Sequence, residues 1–188
     1  EETAQTIYRK MFVDDIDPEN LPEGWRMGTI GEIATISSGK TCKDKIVKKD
    51  EEHVYPVAGA SGIIGYSSEY NQYMRILTTG RVGTLGVINR YNEPIYCADN
   101  VLVVESNLYE YTYQILSLLD YTKIQKGGVQ SLVTQTDLNN AKIIIPNKQN
   151  LYAFEQKAGI IFQNIDNCQI EQDKLTELQL LILTKIFK

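Results

Sequence analysis

From Phe154 to Ile186 an apolar residue recurs every three or four positions: Phe154, Ala158, Ile161, Ile165, Cys168, Leu175, Leu178, Ile182 and Ile186, with Gln172 as the one polar member of the series. This is the stripe of an α-helix, and at 3.6 residues per turn it continues for about nine to ten turns. At about 1.5 Å per residue, the segment from 149 onward would extend on the order of 55–60 Å, farther than a domain built from the rest of the chain is wide. The spacing therefore predicts a projecting helix with a coiled-coil seam that needs another helix beside it. Gln172 lowers stability at its core position while favouring one register and partner.

The centre of the chain has the opposite character. Between Tyr55 and Val104, short apolar segments rich in β-branched residues (Gly62 to Tyr66, Arg75 to Thr79, Thr84 to Asn89, Val101 to Val104) are interrupted by Gly59, Gly62, Gly65, Gly80, Gly83 and Gly86. Strands joined by tight turns are expected, with the glycines at positive-φ corners or at close backbone approaches. No helix is expected there.

Residues 3–13 place Ala4, Ile7, Tyr8, Met11 and Phe12 on one helical face. A helix this short is marginal alone, so its stripe must dock or continue a longer helix. The acids, two prolines and glycine of 14–24 read as a linker. Trp25 then opens the globular part, where Met27 to Ser37 reads as a strand, or as a turn of helix and then a strand. Tyr109 to Leu119 is expected to be helical, Thr136 to Leu138 a helix or turn start, and Ala141 to Pro146 a last buried strand. The divisions are 1–13, 14–24, 25–148 and 149–188. The fold class is α+β: a β-rich globular domain with a short N-terminal helix and a long projecting C-terminal coiled-coil helix.

A chain of 188 residues, 43% of them hydrophobic, can bury one core, to which the helical ends need not belong. Three scattered cysteines, Cys42, Cys97 and Cys168, with no C-x-x-C spacing suit a reducing cytoplasm as small buried or neutral residues. No signal peptide opens the chain, and no apolar run is long enough to span a bilayer. The net charge of −5 is unevenly placed: residues 1–20 carry −4, residues 21–148 balance 13 basic against 13 acidic groups, and residues 149–188 carry −1. Within the neutral middle, Lys40, Lys43, Lys45, Lys48 and Lys49 surround the single Asp44. That run is either a solvated loop or a phosphate-contacting one. Lys126, Gly127-Gly128, Gln130 and Ser131 put a cation, an amide and a hydroxyl on a flexible turn, suited to base edges and phosphates or simply to a hairpin tip.

Enzymatic readings fail on spacing. Gly80 to Gly86 (GRVGTLG) fits neither the G-x-x-x-x-G-K-[ST] phosphate loop nor G-x-G-x-x-G, and Ile63 stands where a nucleophile elbow needs glycine. His53 is the single histidine and reads as a surface residue in a charged run, leaving little material for a metal site or a His-assisted nucleophile. No catalytic residue, metal or cofactor is expected.

The segments LPEGW (21–25), GEIATISSG (31–39), YPVAGASGIIGY (55–66), ILTTGRVGTLGVI (76–88) and GGVQSLVTQTDLNNAKIIIP (127–146) occur in the order seen in the specificity subunits of type I restriction-modification systems. The chain resembles that family along nearly its whole length. LTELQLLILTKIF looks like the conserved helix after a target recognition domain, and AQTIYRKMFVDDIDPENLPEGW like the junction before one. One departure is that NKQNLYAF separates Pro146 from Glu155-Gln156, where the family has a proline-rich turn and then an E-Q pair. The resemblance implies two recognition domains held apart by antiparallel helices, each reading half of a split DNA site. One domain and about one and a half helices then look like a half subunit, a truncated product or an excised C-terminal half. It also implies a DNA-binding chain without chemistry of its own, holding a methyltransferase subunit and, through it, an endonuclease subunit.

On this reading Arg81 is suited to paired bonds with guanine O6 and N7 and Gln130 to adenine. Lys123, Lys126 and the 40–49 lysines (Lys40, Lys43 and Lys45 foremost) are suited to phosphates, and Ser61, Tyr66 and Ser131 border the same turns. The helix would pair with a second copy or a second specificity half through Phe154, Ile161, Ile165, Cys168, Gln172, Leu175, Leu178, Ile182 and Ile186. A competing expectation is an assembly protein that dimerises through the helix without binding DNA.

Overall fold

The computed structural model describes residues 1–124 and 132–186. In chain order the elements are α1 (Glu2–Phe12), β1 (Arg26–Thr29), a 3-10 turn (Ile30–Glu32), β2 (Thr35–Ser38), β3 (Tyr55–Gly59), β4 (Gly62–Ser67), β5 (Ile76–Gly80) and β6 (Ile88–Tyr91). There follow β7 (Tyr96–Cys97), β8 (Val101–Glu105), α2 (Tyr109–Leu118), a second 3-10 turn (Tyr121–Lys123), α3 (Gln135–Asn139), β9 (Lys142–Ile145) and α4 (Lys148–Ile186). The architecture is α+β. Both alternatives for the opening segment are realised, because strand, helical turn and strand follow one another. The strand expected over Thr84 to Asn89 is displaced to Ile88–Tyr91, since Gly83 (φ 73°) and Gly86 (φ 81°) turn the chain ahead of it.

The central sheet has the order β2-β8-β5-β6 and is antiparallel throughout, with Leu77 opposite Val104 on one side and Arg90 on the other. Its middle strands are covered on both faces, which explains the unbroken apolar run Val101 to Val104. Leu77, Leu102 and Val104 enter the main core with the helices, whereas Ile76, Val101 and Val103 point the other way, to Ala58, Ile95 and Cys97. That second layer is the β4-β3-β7 sheet, in which β3 and β7 run parallel. The β1-β9 pair closes the domain.

Both helical ends belong to the main core: the α1 stripe docks, one of the two outcomes expected of so short a helix, whereas the first turns of α4 are covered by the domain rather than projecting from it. Ala4, Tyr8 and Phe12 of α1 and Leu151, Phe154, Ala158 and Phe162 of α4 are buried in it. Phe12 packs edge-on against Tyr111 (5.1 Å) and Phe154 (5.4 Å) and faces Trp25 at 5.7 Å. The Glu155 carboxylate accepts the free N–H groups of Glu110 (3.2 Å) and Tyr111 (2.8 Å) at the start of α2, fastening one helix to the other. Burial raises the Glu155 pKa despite these bonds.

The helix therefore has two regimes, and one part of the predicted seam is corrected. Phe154 is fully buried and Ile161 half-buried against their own domain, so these two do not face a partner. Cys168, Gln172, Leu175, Leu178, Ile182 and Ile186 are exposed, and Ile165 lies at the transition. Leu180, Leu181 and Leu183 are also at least half exposed, so the apolar surface near the end is wider than one seam. Cys168 is likewise exposed rather than buried, whereas Cys97 is buried and its thiol pushed up to about 12 by desolvation; all three cysteines are free. Among the described residues no helix is long and apolar enough to cross a membrane.

The two regimes differ measurably in stability. Phe154→Ala should cost about 3–5 kcal/mol in urea unfolding of the monomer, the usual loss for an emptied aromatic core site. Leu178→Ala should change it by less than about 0.5 kcal/mol, as exposed positions do; equal losses at the two sites would refute the division.

Candidate nucleic-acid interface

Strand β5 ends at Gly80, and Arg81 follows on a backbone held from two sides. Its N–H donates to Asn100 O (3.2 Å), its carbonyl accepts from Val133 N–H (3.0 Å), and the next residue, Val82, bridges Leu132. Gly80 is required there because a Cβ would collide with the Thr84 hydroxyl and press on Ala60. The β3–β4 turn thus lies against the same corner, with Ser61 exposed on it. Ala60, Arg81, Val82, Asp99, Asn100 and Leu132 line a cavity of about 270 Å³.

The lysine-bearing loop reaches this corner through its anchors. Lys40 N–H donates to Cys97 O (2.9 Å), Thr41 Oγ1 donates to Asp99 Oδ2 (2.7 Å), and Tyr96 OH donates to Thr41 O (3.1 Å). Farther along, Asp44 is no simple counter-charge to the lysines. Its carboxylate accepts from Ser67 Oγ (2.8 Å), Ser68 N–H (2.8 Å), Ser68 Oγ (2.7 Å) and Cys42 Sγ (3.3 Å). These bonds, the Ser68 hydroxyl first, hold its pKa far below the ordinary carboxylate range. Ile46 and Tyr66 then exchange both backbone bonds at 2.9 Å, which places half-buried Tyr66 beside Lys45 and away from Ser61 at the other end of β4. Gly65 (φ 154°) admits this crossing, since a Cβ would strike the Ile46 carbonyl. Lys40, Lys43, Lys45, Lys48 and Lys49 are all exposed, and none is ion-paired among the described residues.

The arginines sort in the same way. Arg26 pairs with Glu32 (2.6 Å), and Arg75 (2.6 Å) and Arg90 (2.5 Å) both bind Glu110. Among the described residues, Arg81 is the globular domain's one arginine without a carboxylate partner. Lys123 does not join this site. It is bound to Asp120 (3.2 Å) and lines a groove with Tyr8, Arg9 and Val13 near α1. Lys126, Gln130 and Ser131 lie outside the described residues. His53 is not a plain surface residue either: its side chain is 18% exposed, and its Nδ1 lies 2.9 Å from Asp50. Sequence reading missed Thr41, Asp99 and the two serines that hold Asp44, because their partners are remote in the chain. Among the described residues no cluster of His, Cys, Asp and Glu could hold a metal.

Residues 22–180 match the family model of the type I restriction modification DNA specificity domain. The chain belongs to this family. Similar curated proteins are the specificity subunit of the type I restriction enzyme HindI from Haemophilus influenzae (22% identity; 88% of this chain, 41% of that one) and that of EcoprrI from Escherichia coli (27%; 68% and 33%). This specificity domain thus spans less than half the length of the curated relatives it matches. Similar folds occur in a structure describing complex assembly and conformational transition of the type I R-M system (17% identity, TM-score 0.61, 92% of this chain and 46% of that one). They also occur in the HsdS subunit from Thermoanaerobacter tengcongensis (15%, 0.56, 91% and 45%) and in the M. genitalium S subunit (13%, 0.57, 79% and 42%).

The Asp44 anchor of the specificity domain has a defined pH sense. Its folded pKa lies below the unfolded one, so the anchoring contribution is complete above the ordinary carboxylate range and disappears as pH falls below it. Asp44→Asn should therefore speed amide hydrogen exchange of Ser68 and Ile46 at pH 7 while leaving β5 and β8 protected; unchanged exchange at both amides would contradict the anchor.

Proposed function

We propose that this chain reads one half of a split duplex DNA site as the recognition part of a type I restriction-modification specificity subunit. Arg81 would contact base edges, with Lys40, Lys43 and Lys45 on phosphates and Ser61 and Tyr66 alongside; Lys126, Gln130 and Ser131 would add further contacts. In the proposed division, 25–148 is the recognition domain, 1–13 the end of a preceding conserved helix, 14–24 its linker and 149–188 the spacer helix. That helix would pair from Ile165 onward, through Cys168, Gln172, Leu175, Leu178, Ile182 and Ile186, with a second copy or a second specificity half. The assembly would hold a methyltransferase subunit and an endonuclease subunit on the site, in the cytoplasm, with catalysis in those partners. The family match over 22–180 carries this reading, and the uncompensated cations around a pinned corner give it a physical basis. No observation favours an assembly protein indifferent to DNA.

Binding to a duplex should weaken steeply with salt. Arg81→Ala should cost about 1–3 kcal/mol and relax preference at one base position. Lys43→Ala should weaken all sequences alike and reduce the salt slope by about one. Selection from a randomised duplex pool, with and without the methyltransferase subunit, tests the reading; enrichment of no sequence in either case would sink it.

Pairing has a separate readout. Ile165→Asp with Leu175→Asp should leave the domain folded by near-UV circular dichroism and abolish self-association in sedimentation velocity. Unchanged sedimentation would argue against a seam in this part of α4.

A further inference from the structure

The sheet that presents Arg81 and the helix that leaves the domain meet at one place. Arg90 of β6 is opposite Leu77 of β5, the strand that runs into Arg81. Its side chain is 11% exposed, and its two terminal nitrogens bind the buried Glu110 carboxylate at 2.5 and 3.1 Å. The guanidinium then lies over the Phe162 ring of α4 at 3.6 Å, with Tyr113 at 4.8 Å and Tyr109 at 4.9 Å. Phe162 is the last buried residue of that helix. One turn on, Asn92 Nδ2 donates to Asp166 Oδ2 at 3.0 Å, and beyond this the helix is fully exposed.

Glu155 and Asp166 thus clamp the helix at points about 16 Å apart, and the free part continues for about 30 Å at about 1.5 Å per residue. Play of about 10° at the second clamp would move the far end by about 5 Å, or about one and a half base steps of about 3.4 Å. A recognition unit carried by a paired helix would shift along the duplex by the same amount.

We infer that Arg90 is a positioning residue that fixes the number of base pairs between the two half-sites: its guanidinium, locked on Glu110 and stacked on Phe162, sets the angle between the reading sheet and the spacer helix. This rests on the DNA-reading function proposed above. Arg90 itself touches no DNA in this scheme, so the bases chosen within each half-site are independent of it.

Two measurements separate the inference from the reading beneath it. In the first, the full chain assembled with its methyltransferase subunit selects from duplexes randomised in both half-sites and in the spacing between them. Arg90→Leu should keep the half-site bases and broaden the accepted spacing by one to two base pairs; an unchanged spacing, or altered bases, overturns the inference. If the unsubstituted protein selects nothing, the DNA reading itself fails. In the second, spin labels at Lys185→Cys near the end of α4 and at Glu105→Cys of β8, in a Cys42→Ser, Cys168→Ser background, report the angle without DNA. The distance distribution should be narrow in the parent and widen in Arg90→Leu, and equal widths overturn the joint whatever the selection shows. Should Arg90→Leu fail to fold, Phe162→Leu, which keeps an apolar residue but removes the ring, and Asn92→Ala must widen the same distribution; if neither does, the joint is overturned.

Discussion

The Glu110 carboxylate has almost no access to water, and two guanidinium groups converge on it, from Arg75 just before β5 and from Arg90 on β6. A charge so placed tolerates little displacement, because stranding it unpaired costs about 3–5 kcal/mol. Well-packed apolar residues could fill such a site with similar stability, so the gain lies in geometry rather than in net free energy. The carboxylate is on α2, the guanidiniums come from the central sheet, and the rings that close over them include Phe162 of α4 and Tyr113 of α2. Sheet, buried helix and projecting helix thus share one electrostatic centre.

Around that centre the sheet is buried twice. Alternate residues of β5 and β8 point into separate cores, so a slip of one residue in their pairing would exchange Leu77 with Ile76 and Leu102 with Val101 or Val103. Volumes and neighbours would be wrong in both layers at once. The register of β5 is therefore over-determined, and so is the place where it delivers Arg81. The backbone bonds from Asn100 and Val133 then fix the corner itself.

Much of this architecture is legible from local patterns. The strands centred on Val101 to Val104 and Ile76 to Thr79, the helix beginning at Tyr109 and the long terminal helix follow from composition and period. Period identifies a face, however, and not what covers it. Phe154 and Leu175 belong to the same stripe, yet one is sealed inside the domain by Tyr8, Phe12 and Tyr111 and the other is bare. Nor do Arg75, Arg90 and Glu110 announce themselves, since an ion pair spanning 20 or 35 residues leaves no local mark. The lysine run was visible as charge, but its shape depends on Ser67 and Ser68, to which Asp44 reaches across the fold. As a result, the fold class was legible while the distribution of the cations between structure and surface was not.

That distribution bears on recognition because a base edge and a phosphate make different demands. A bidentate contact needs a guanidinium whose backbone is already in place, since ordering a loose side chain and its loop on binding subtracts from affinity. Phosphate neutralisation is tolerant of position and works through a flexible ammonium group. The roles proposed above fall on parts that differ in the same way: Arg81 stands on a corner bonded on both sides, while Lys43 and Lys45 ride a loop held at intervals by Thr41, Asp44 and Ile46. Because Arg26, Arg75 and Arg90 are already committed to carboxylates, the cations left without a carboxylate partner at this edge, among the described residues, are Arg81 and the exposed lysines of the 40–49 loop. The balance of charge along the chain is thus a poor guide to its partner, and the sites at which charges remain uncancelled are a better one.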